Sequence, residues 1–167
     1  MIIYATDDNN ATPLHVAVCR NFRQIGELLV CANCSLYAPA EVTLSGRLHS
    51  RVTPFACAVI LGHAEFAELL VAAGYDVRQE PTSFLDLVAS EQSVTSAVTS
   101  TFHQMTSAIV GEELMERLKF WYRNPRPLAV MCRSLARSLL GRNIERKVNS
   151  LQLPIGIKNN VLLVNVF

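Results

Sequence analysis

Several patterns that are common in enzymes and membrane proteins are missing from this chain of 167 residues. It has no phosphate-binding glycine loop and no nucleophile elbow, and no pair of acidic residues has an evident partner for acid–base chemistry. Its longest apolar runs, such as residues 55–61, are far too short to cross a bilayer, and no signal-peptide pattern opens the chain. We therefore expect no catalytic residue, no cofactor and no contact with a membrane.

Cysteine is too irregularly spaced for a disulfide framework. The five cysteines are an odd number, which favours a reducing compartment and therefore an intracellular location, cytoplasmic or nuclear. Cys31 and Cys34 have the spacing of half a zinc site, but no second cysteine pair completes it. His49 and His63 lie too far apart for the usual zinc fingers. We predict no metal site.

Charge is scarce and unevenly distributed. Charged side chains make up only 17% of the residues, whereas 50% are hydrophobic, so we expect part of the apolar surface to contact a partner. Residues 1–116 carry a net charge of −8 and residues 117–167 a net charge of +9. A basic tail can bind nucleic acid, but here the basic residues alternate with apolar ones and lack aromatic neighbours for base stacking. A solvated helix face, or a rim for an acidic protein partner, is therefore favoured for Arg133, Arg137, Arg142, Arg146 and Lys147.

Two segments of the amino-terminal half match each other at a constant offset of 41 residues. Residues 12–17 (TPLHVA) correspond to residues 53–58 (TPFACA), with a threonine suited to cap a helix and a proline suited to its first turn. The same offset pairs Asn21 with Gly62 and Asn33 with Gly74. We predict that the two glycines end their helices with positive φ, and that the two asparagines do so less easily.

These motifs resemble the helix-start motif of ankyrin repeats, which are helix-turn-helix units of about 33 residues. His15 and His63 fall at motif positions, where a structural hydrogen bond is expected. The longer offset places about eight extra residues between the two copies. The resemblance implies that this loop and the adjoining turn help to choose a protein substrate, although a loop without a role remains the alternative. The predicted substrate-binding residues are Leu36, Tyr37, Arg47, His49, Tyr75 and Asp76.

The middle of the chain is less distinctive. A degraded third copy is expected at residues 83–88, as is usual for a terminal repeat. Residues 90–108 hold nine serines or threonines, but apolar residues recur among them at helical intervals and predict a capping helix. A firmer helix is predicted from residue 112 to 122, with Leu114, Leu118 and Trp121 on one face.

An apolar stripe follows Pro127. Leu128, Cys132, Leu135 and Leu139 lie at i, i+4, i+7 and i+11, on one side of a helix that Gly141 is suited to end. The stripe alone leaves two interpretations open. It either packs into the core of this chain, as most such stripes do, or inserts into a groove on another protein.

The stripe and the sequence after it resemble the SOCS box, the adaptor-docking module of the suppressors of cytokine signalling. The elongin-binding part is carried by Pro127, Leu128, Cys132, Leu135, Ala136 and Leu139. A second short helix, residues 144–150, is followed by a segment similar to the cullin box, in which Leu151, Leu153, Pro154 and Ile157 fit the family's register. Gln152 and Asn160 depart from that register, where a proline and a tyrosine are usual, and put the choice of cullin in doubt.

The two resemblances together identify the chain as a member of the ankyrin repeat and SOCS box family. They imply an all-α fold with ankyrin repeats at residues 1–110, a connecting helix and linker at 111–126, and a SOCS box at 127–167, with the elongin-binding part at 127–140 and the cullin part at 150–163. The implied function is a non-catalytic substrate receptor of a ubiquitin ligase, with elongin B/C, cullin-5 and its RING protein as partners. Two alternatives stay open: an ankyrin interaction module without a ligase role, and a degenerate member that binds elongin without cullin and leaves its hydrophobic end exposed.

Overall fold

The computed structural model describes residues 6–44, 47–80, 112–124, 126–141 and 143–164; within them, side chains are described except at residues 44, 47–50 and 112. The described part is mostly helical, with eight α-helices and one two-stranded hairpin. This confirms the helical class predicted from the sequence. The third copy at residues 83–88 and the capping helix at 90–108 lie outside the described residues.

The amino-terminal half consists of two helix pairs. The first pair is α1 (Pro13–Cys19) and α2 (Arg23–Cys31). The second pair is α3 (Pro54–Ile60) and α4 (Ala64–Ala73). In each pair a proline opens the first helix, because its missing N–H has no partner at that position in any case. The pairs lie side by side, with α1 against α3 and α2 against α4.

The ends of these helices follow the predicted register. Asn21, Gly62, Asn33 and Gly74 all have positive φ, at 53°, 71°, 63° and 108°. The prediction for the two glycines is confirmed, and the asparagines adopt the same conformation because their short polar side chains tolerate it better than most residues do. Residues 41 positions apart in the two copies therefore match in backbone conformation as well as in residue type.

Both motif histidines make structural hydrogen bonds, as predicted. Nε2 of His15 lies 3.1 Å from the carbonyl oxygen of Val52. Nδ1 of His15 accepts from the backbone N–H of Thr12, so the ring bonds in its neutral form with the proton on Nε2. Burial is the main cause that lowers the pKa of His15 below its usual value. Nδ1 of His63 lies 3.0 Å from the carbonyl oxygen of Val18.

The extra residues between the pairs form a β-hairpin. Strands β1 (Ala40–Leu44) and β2 (Arg47–Val52) are antiparallel, with Val42 opposite His49 and Leu44 opposite Arg47. The backbone N–H of Glu41 donates to the carbonyl oxygen of Asn9, which ties the hairpin to the start of the described chain. The insertion is thus a regular element of its own, which the all-α prediction did not include.

The carboxy-terminal part contains four helices. These are α5 (Glu112–Arg123), α6 (Leu128–Leu140), α7 (Ile144–Ser150) and α8 (Ile155–Val161). Helix α5 adds Leu114 and Leu118 to the main core formed by the two helix pairs, and its Trp121 ring packs edge-on against Phe55 with centroids 6.5 Å apart. The helices predicted at 112–122, after Pro127 and at 144–150 are confirmed.

A second, smaller core holds helices α6 to α8 together. Ile144, Val148 and Val161 are buried in it, with Ala136 and Leu140 packed at its edge. Leu163 is buried in the main core instead. The alternative in which the hydrophobic end of the chain is exposed is therefore wrong for Val161 and Leu163, because both side chains are covered by this chain's own helices.

Candidate docking surface on the carboxy-terminal helices

The orientation of helix α6 is set by its basic face, which lies against the two helix pairs. Arg133 and Arg137 are 7% and 5% exposed. The prediction that they belong to a solvated face or a rim is wrong. Both arginines reach carbonyl groups at the ends of other helices, so their charge is balanced by backbone dipoles rather than by water.

Arg137 joins three parts of the chain. One guanidinium nitrogen donates to the carbonyl oxygen of Val161 at 2.7 Å, and the other donates to the carbonyl oxygen of Val30. The second nitrogen also lies 3.4 Å from the carbonyl oxygen of Cys31, at the last turn of α2. The last four carbonyls of a helix have no partner within that helix and carry its negative end, so a guanidinium is well suited to bind there.

Arg133 and Arg126 do the same at the end of α4. Arg133 donates to the carbonyl oxygen of Ala72 at 2.6 Å, and Arg126 donates to that of Gly74 at 2.6 Å. Arg126 also forms an ion pair with Asp76, with the nitrogen 3.2 Å from the carboxylate oxygen. The desolvated guanidinium of Arg133 has a lowered pKa, and its Nε is buried without a hydrogen-bond partner. Three arginines therefore fix the carboxy-terminal helices to the ends of α2 and α4.

Asn33 completes this junction from the other side. Its side-chain amide donates to the carbonyl oxygens of Arg137 at 3.1 Å and Gly141 at 3.0 Å. The register comparison predicted only a helix end at this position. The side-chain role could not be read from the sequence, because both acceptors lie more than 100 residues further along the chain.

We expect Asn33→Gly to lower stability and Asn21→Gly to leave it nearly unchanged. Glycine adopts the left-handed backbone conformation at both positions with less strain than asparagine. At Asn33, however, it also removes two hydrogen bonds of about 0.5–1.5 kcal/mol each. The net loss at Asn33 is expected to be about 1 kcal/mol. Urea denaturation of the two variants measures it, and equal effects at the two positions would contradict the role assigned to the Asn33 amide.

Because the basic face of α6 points inward, its apolar stripe points outward. Leu128 is 74% exposed, Leu135 62% and Leu139 78%, and Met131 and Cys132 are exposed beside them. The stripe therefore does not pack into either core formed by the described residues. The structure brings Leu128, Cys132, Leu135 and Leu139 together on one open surface, here called the α6 stripe, and adds Met131, which the sequence prediction had left out.

The other two residues of the predicted elongin-binding set occupy different environments. Pro127 is exposed and stands immediately before α6, where its carbonyl accepts from the N–H groups of Val130 and Met131. Ala136 is half-buried against the second core, and its small side chain lets α6 lie close to that core. Gly141 ends the helix with φ 57°, as predicted.

The segment after α7 is also exposed. Leu151, Leu153 and Ile157 are 43%, 38% and 50% exposed, and Pro154 stands immediately before α8 and is exposed. Ile155, which the prediction did not include, is 73% exposed. This second apolar surface, here called the α8 patch, is separate in sequence from the α6 stripe.

The predicted substrate-binding residues do not form one surface. Tyr75 is 1% exposed, and its hydroxyl donates to the buried carboxylate of Glu80, so its prediction is wrong because the ring belongs to the core. Tyr37 is 37% exposed and stacks on Tyr75 with ring centroids 4.6 Å apart. Asp76 is held by its ion pair with Arg126.

The remaining members of that set lie on the loop and the hairpin. Leu36 is half-buried at the edge of the main core. Arg47 and His49 lie on β2, where the structure gives the backbone pairing alone. Tyr37 hydrogen-bonds to the backbone N–H of Asp76 at 2.9 Å, so the loop before the hairpin is anchored to the turn after α4.

The cysteines give no sign of a metal centre in the described part. Within residues 6–44, 47–80, 112–124, 126–141 and 143–164, no group of three or more potential ligands stands close enough to hold an ion. Cys34 is buried, which raises its pKa to about 12 and disfavours the thiolate that a metal needs. Cys19 differs, because a hydrogen bond from the Cys57 thiol lowers its pKa to about 7.

No described helix is both long enough and apolar enough to span a bilayer. Comparison with protein-family models and with curated proteins found no match to this chain. The features of the described residues that bear on function are the two exposed apolar surfaces and the arginine contacts that determine which side of α6 is exposed.

Proposed function

We propose that this chain is a substrate receptor of an elongin B/C–cullin ubiquitin ligase and performs no covalent chemistry itself. The observation that carries the proposal is the outward-facing α6 stripe. An amphipathic helix normally buries its apolar face and exposes its charges, whereas α6 buries two arginines and exposes three leucines. Contiguous apolar surface of this kind marks a site for a protein partner.

The geometry of the α6 stripe suits insertion into a groove. Leu128 and Leu139 stand eleven positions apart on a helix that rises about 1.5 Å per residue, so the stripe is roughly 16 Å long. A leucine that becomes fully buried contributes roughly 1.5–3 kcal/mol. Cys132 between them is a small exposed side chain that allows close approach of a partner helix. We propose elongin C as that partner.

The α8 patch supports a second contact. Leu151, Leu153 and Ile157 are exposed on a short helix and the extended segment before it, which lie outside the α6 stripe. We propose cullin-5, with its RING protein, as the partner of this patch. Binding of adaptor and cullin at separate surfaces would allow both contacts in one assembly.

The amino-terminal helix pairs are proposed to be ankyrin repeats that hold the protein substrate. Their proline-initiated helices, left-handed helix ends and side-by-side packing support this assignment. The chain would act by proximity, since holding a substrate beside a charged enzyme raises its effective concentration. The substrate surface is proposed to include the β-hairpin and exclude the buried Tyr75.

Co-purification with elongin B/C tests the proposal. The purified chain should retain elongin B/C, and a Leu128→Ser, Cys132→Ser double variant should lose it. Both positions are exposed, so the variant is expected to fold normally, which circular dichroism and thermal unfolding can verify. Ile155→Ser is a matched control, because Ile155 is as exposed as Leu128 but lies in the α8 patch.

The control should retain elongin B/C and bind cullin-5 more weakly. If the folded native chain retains no adaptor, the ligase proposal fails and the chain is an ankyrin interaction module without a ligase role. If Ile155→Ser loses the adaptor as completely as the double variant does, the separation of the two surfaces is wrong.

A further inference from the structure

A third exposed apolar surface lies on the first helix pair, on the side that faces away from the second pair. Val16 and Phe22 are each 52% exposed, Ile25 is 48% exposed and Leu28 is 71% exposed. We call this set the amino-terminal face. It lies on α1, on α2 and at the turn between them, and has no residue in common with the α6 stripe or the α8 patch.

Residues at the equivalent positions of the second pair can be compared with the amino-terminal face. At the 41-residue offset, the residues equivalent to Val16, Ile25 and Leu28 are Cys57, Phe66 and Leu69. These are 0%, 0% and 2% exposed, and Phe66 packs against Gly26 of the first pair. Equivalent positions are therefore buried in one copy and open in the other.

Contacts between the two pairs define the face that covers these positions. The ring of Phe66 packs so closely on Gly26 of α2 that a Cβ there would overlap it. Nδ1 of His63, equivalent to Phe22, lies 3.0 Å from the carbonyl oxygen of Val18. Arg23 of α2 also forms an ion pair with Glu65 of α4 at 2.7 Å. The covering face thus combines a small residue, Gly26, on its second helix with the carbonyl of Val18 at the end of its first helix.

We propose that the amino-terminal face binds a helix pair of the same repeat type on another protein, which continues the interface between the two pairs by one unit. The occupant would place a small residue over Ile25, as Gly26 does for Phe66. Opposite Phe22 it would present apolar surface, because phenylalanine cannot make the hydrogen bond that His63 makes.

A second copy of this chain is not suited to supply that helix pair. In a second molecule of this chain, the sides of α1 and α2 that would have to bind are already covered by its own α3 and α4. Helix α5 packs beside the second pair in turn, through the Phe55–Trp121 contact and the ion pair between Glu68 and Arg117. Among the helix-pair surfaces that the structure describes, a second copy would therefore offer its own amino-terminal face, which lacks the small residue and the carbonyl.

The chain's own repeat unit is a suitable probe. Residues 12–52 are duplicated immediately before Thr12 in the full chain, so that the new junction joins Val52 to Thr12 as the native chain joins Val52 to Thr53. The added unit then places its own Gly26 over the native Ile25. We expect the melting temperature to rise by roughly 5 °C or more, since burial of this apolar face increases the free energy of unfolding.

Matched variants separate docking from a general effect of the insertion. Leu28→Asp in the native copy, now inside the interface, should abolish the rise in melting temperature. Leu28→Asp in the added copy, on the new outer face, should leave the rise intact. Equal effects of the two substitutions, absence of any rise, or failure of the duplicated chain to fold would each overturn the proposal.

Two measurements on the unduplicated chain complete the test. Leu28→Asp should leave its melting temperature unchanged, whereas a loss comparable to that of Leu69→Asp would mean that the face is already covered. Sedimentation should give a monomer, and a dimer that Leu28→Asp dissociates would assign the face to a second copy instead. Because adaptor capture depends on a different surface, failure here leaves the ligase proposal standing.

Discussion

Replacement of Arg137 by alanine is expected to lower the free energy of unfolding by about 3 kcal/mol or more. Hydrogen bonds that involve a charged group contribute roughly 1.5–3 kcal/mol each, and this guanidinium donates to the carbonyls of Val30 and Val161. The variant leaves these buried carbonyl oxygens without a charged donor and opens the junction between α2, α6 and α8. Urea denaturation followed by circular dichroism measures the loss.

Arg146→Ala is the matched control for Arg137→Ala. Arg146 is exposed on α7, so its loss is expected to change stability by less than about 0.5 kcal/mol. Arg137→Lys should recover only part of the stability, because the single nitrogen of lysine cannot occupy both positions from which the two guanidinium nitrogens donate to Val161 and Val30. An Arg137→Ala variant as stable as Arg146→Ala would contradict the role assigned to the buried arginine.

Gly74→Ala is the second substitution with a large expected effect, at about 3 kcal/mol. Gly74 ends α4 with φ 108°, where an L side chain is strained by roughly 1–3 kcal/mol. A Cβ at this position would also overlap the hydroxyl of Ser134 on α6, and overpacking costs typically 1–3 kcal/mol. The first effect is local to the helix end, whereas the second pushes α6 away from the second helix pair.

A double-mutant cycle separates the two effects. In the Ser134→Ala background the hydroxyl is gone, so Gly74→Ala should cost about 1 kcal/mol less than in the native chain. Gly156→Ala is the matched control, because nothing lies within 4 Å of its added Cβ and its position inside α8 favours alanine by up to about 1 kcal/mol. A cost at Gly74 that does not depend on Ser134 would mean that α6 does not lie where the structure places it.

Loss of this junction should weaken the proposed adaptor binding, because it changes the orientation of α6. The α6 stripe is open because Arg133 and Arg137 hold the opposite side of the helix against α2 and α4. A chain in which that side is released can turn its leucines toward its own apolar surfaces. The contacts that stabilise the fold are thus the same contacts that keep the proposed docking surface exposed.

The elements of this fold were predicted well because their boundaries depend on local chemistry. Proline at residues 13 and 54 begins helices, and glycine or asparagine at residues 21, 33, 62 and 74 ends them with positive φ. Helices α5 and α6 followed from apolar spacing and their own flanking residues. The β-hairpin was missed because the offset showed only that extra residues were present, not that they pair with each other.

It was harder to predict which side of each element is buried and which is exposed. Arginines at positions 133 and 137 are four residues apart and lie opposite the stripe, which was a usable sign of a second functional face. Their burial depends on carbonyls of Val30 and Ala72, which are distant in sequence, so composition suggested a solvated face instead. Tyr75 was placed on a surface for the same reason, since its contacts with Tyr37 and Glu80 belong to the folded core.

The sequence by itself determined the helices, their ends and the existence of an apolar stripe on α6, because capping, proline geometry and helical periodicity act over a few residues. Only the tertiary structure decided that the stripe faces outward. An amphipathic helix has two sides, and which one is buried depends on what the rest of the chain offers; here the carbonyl ends of α2 and α4 offer negative dipoles to two arginines, and the leucines remain open to a partner.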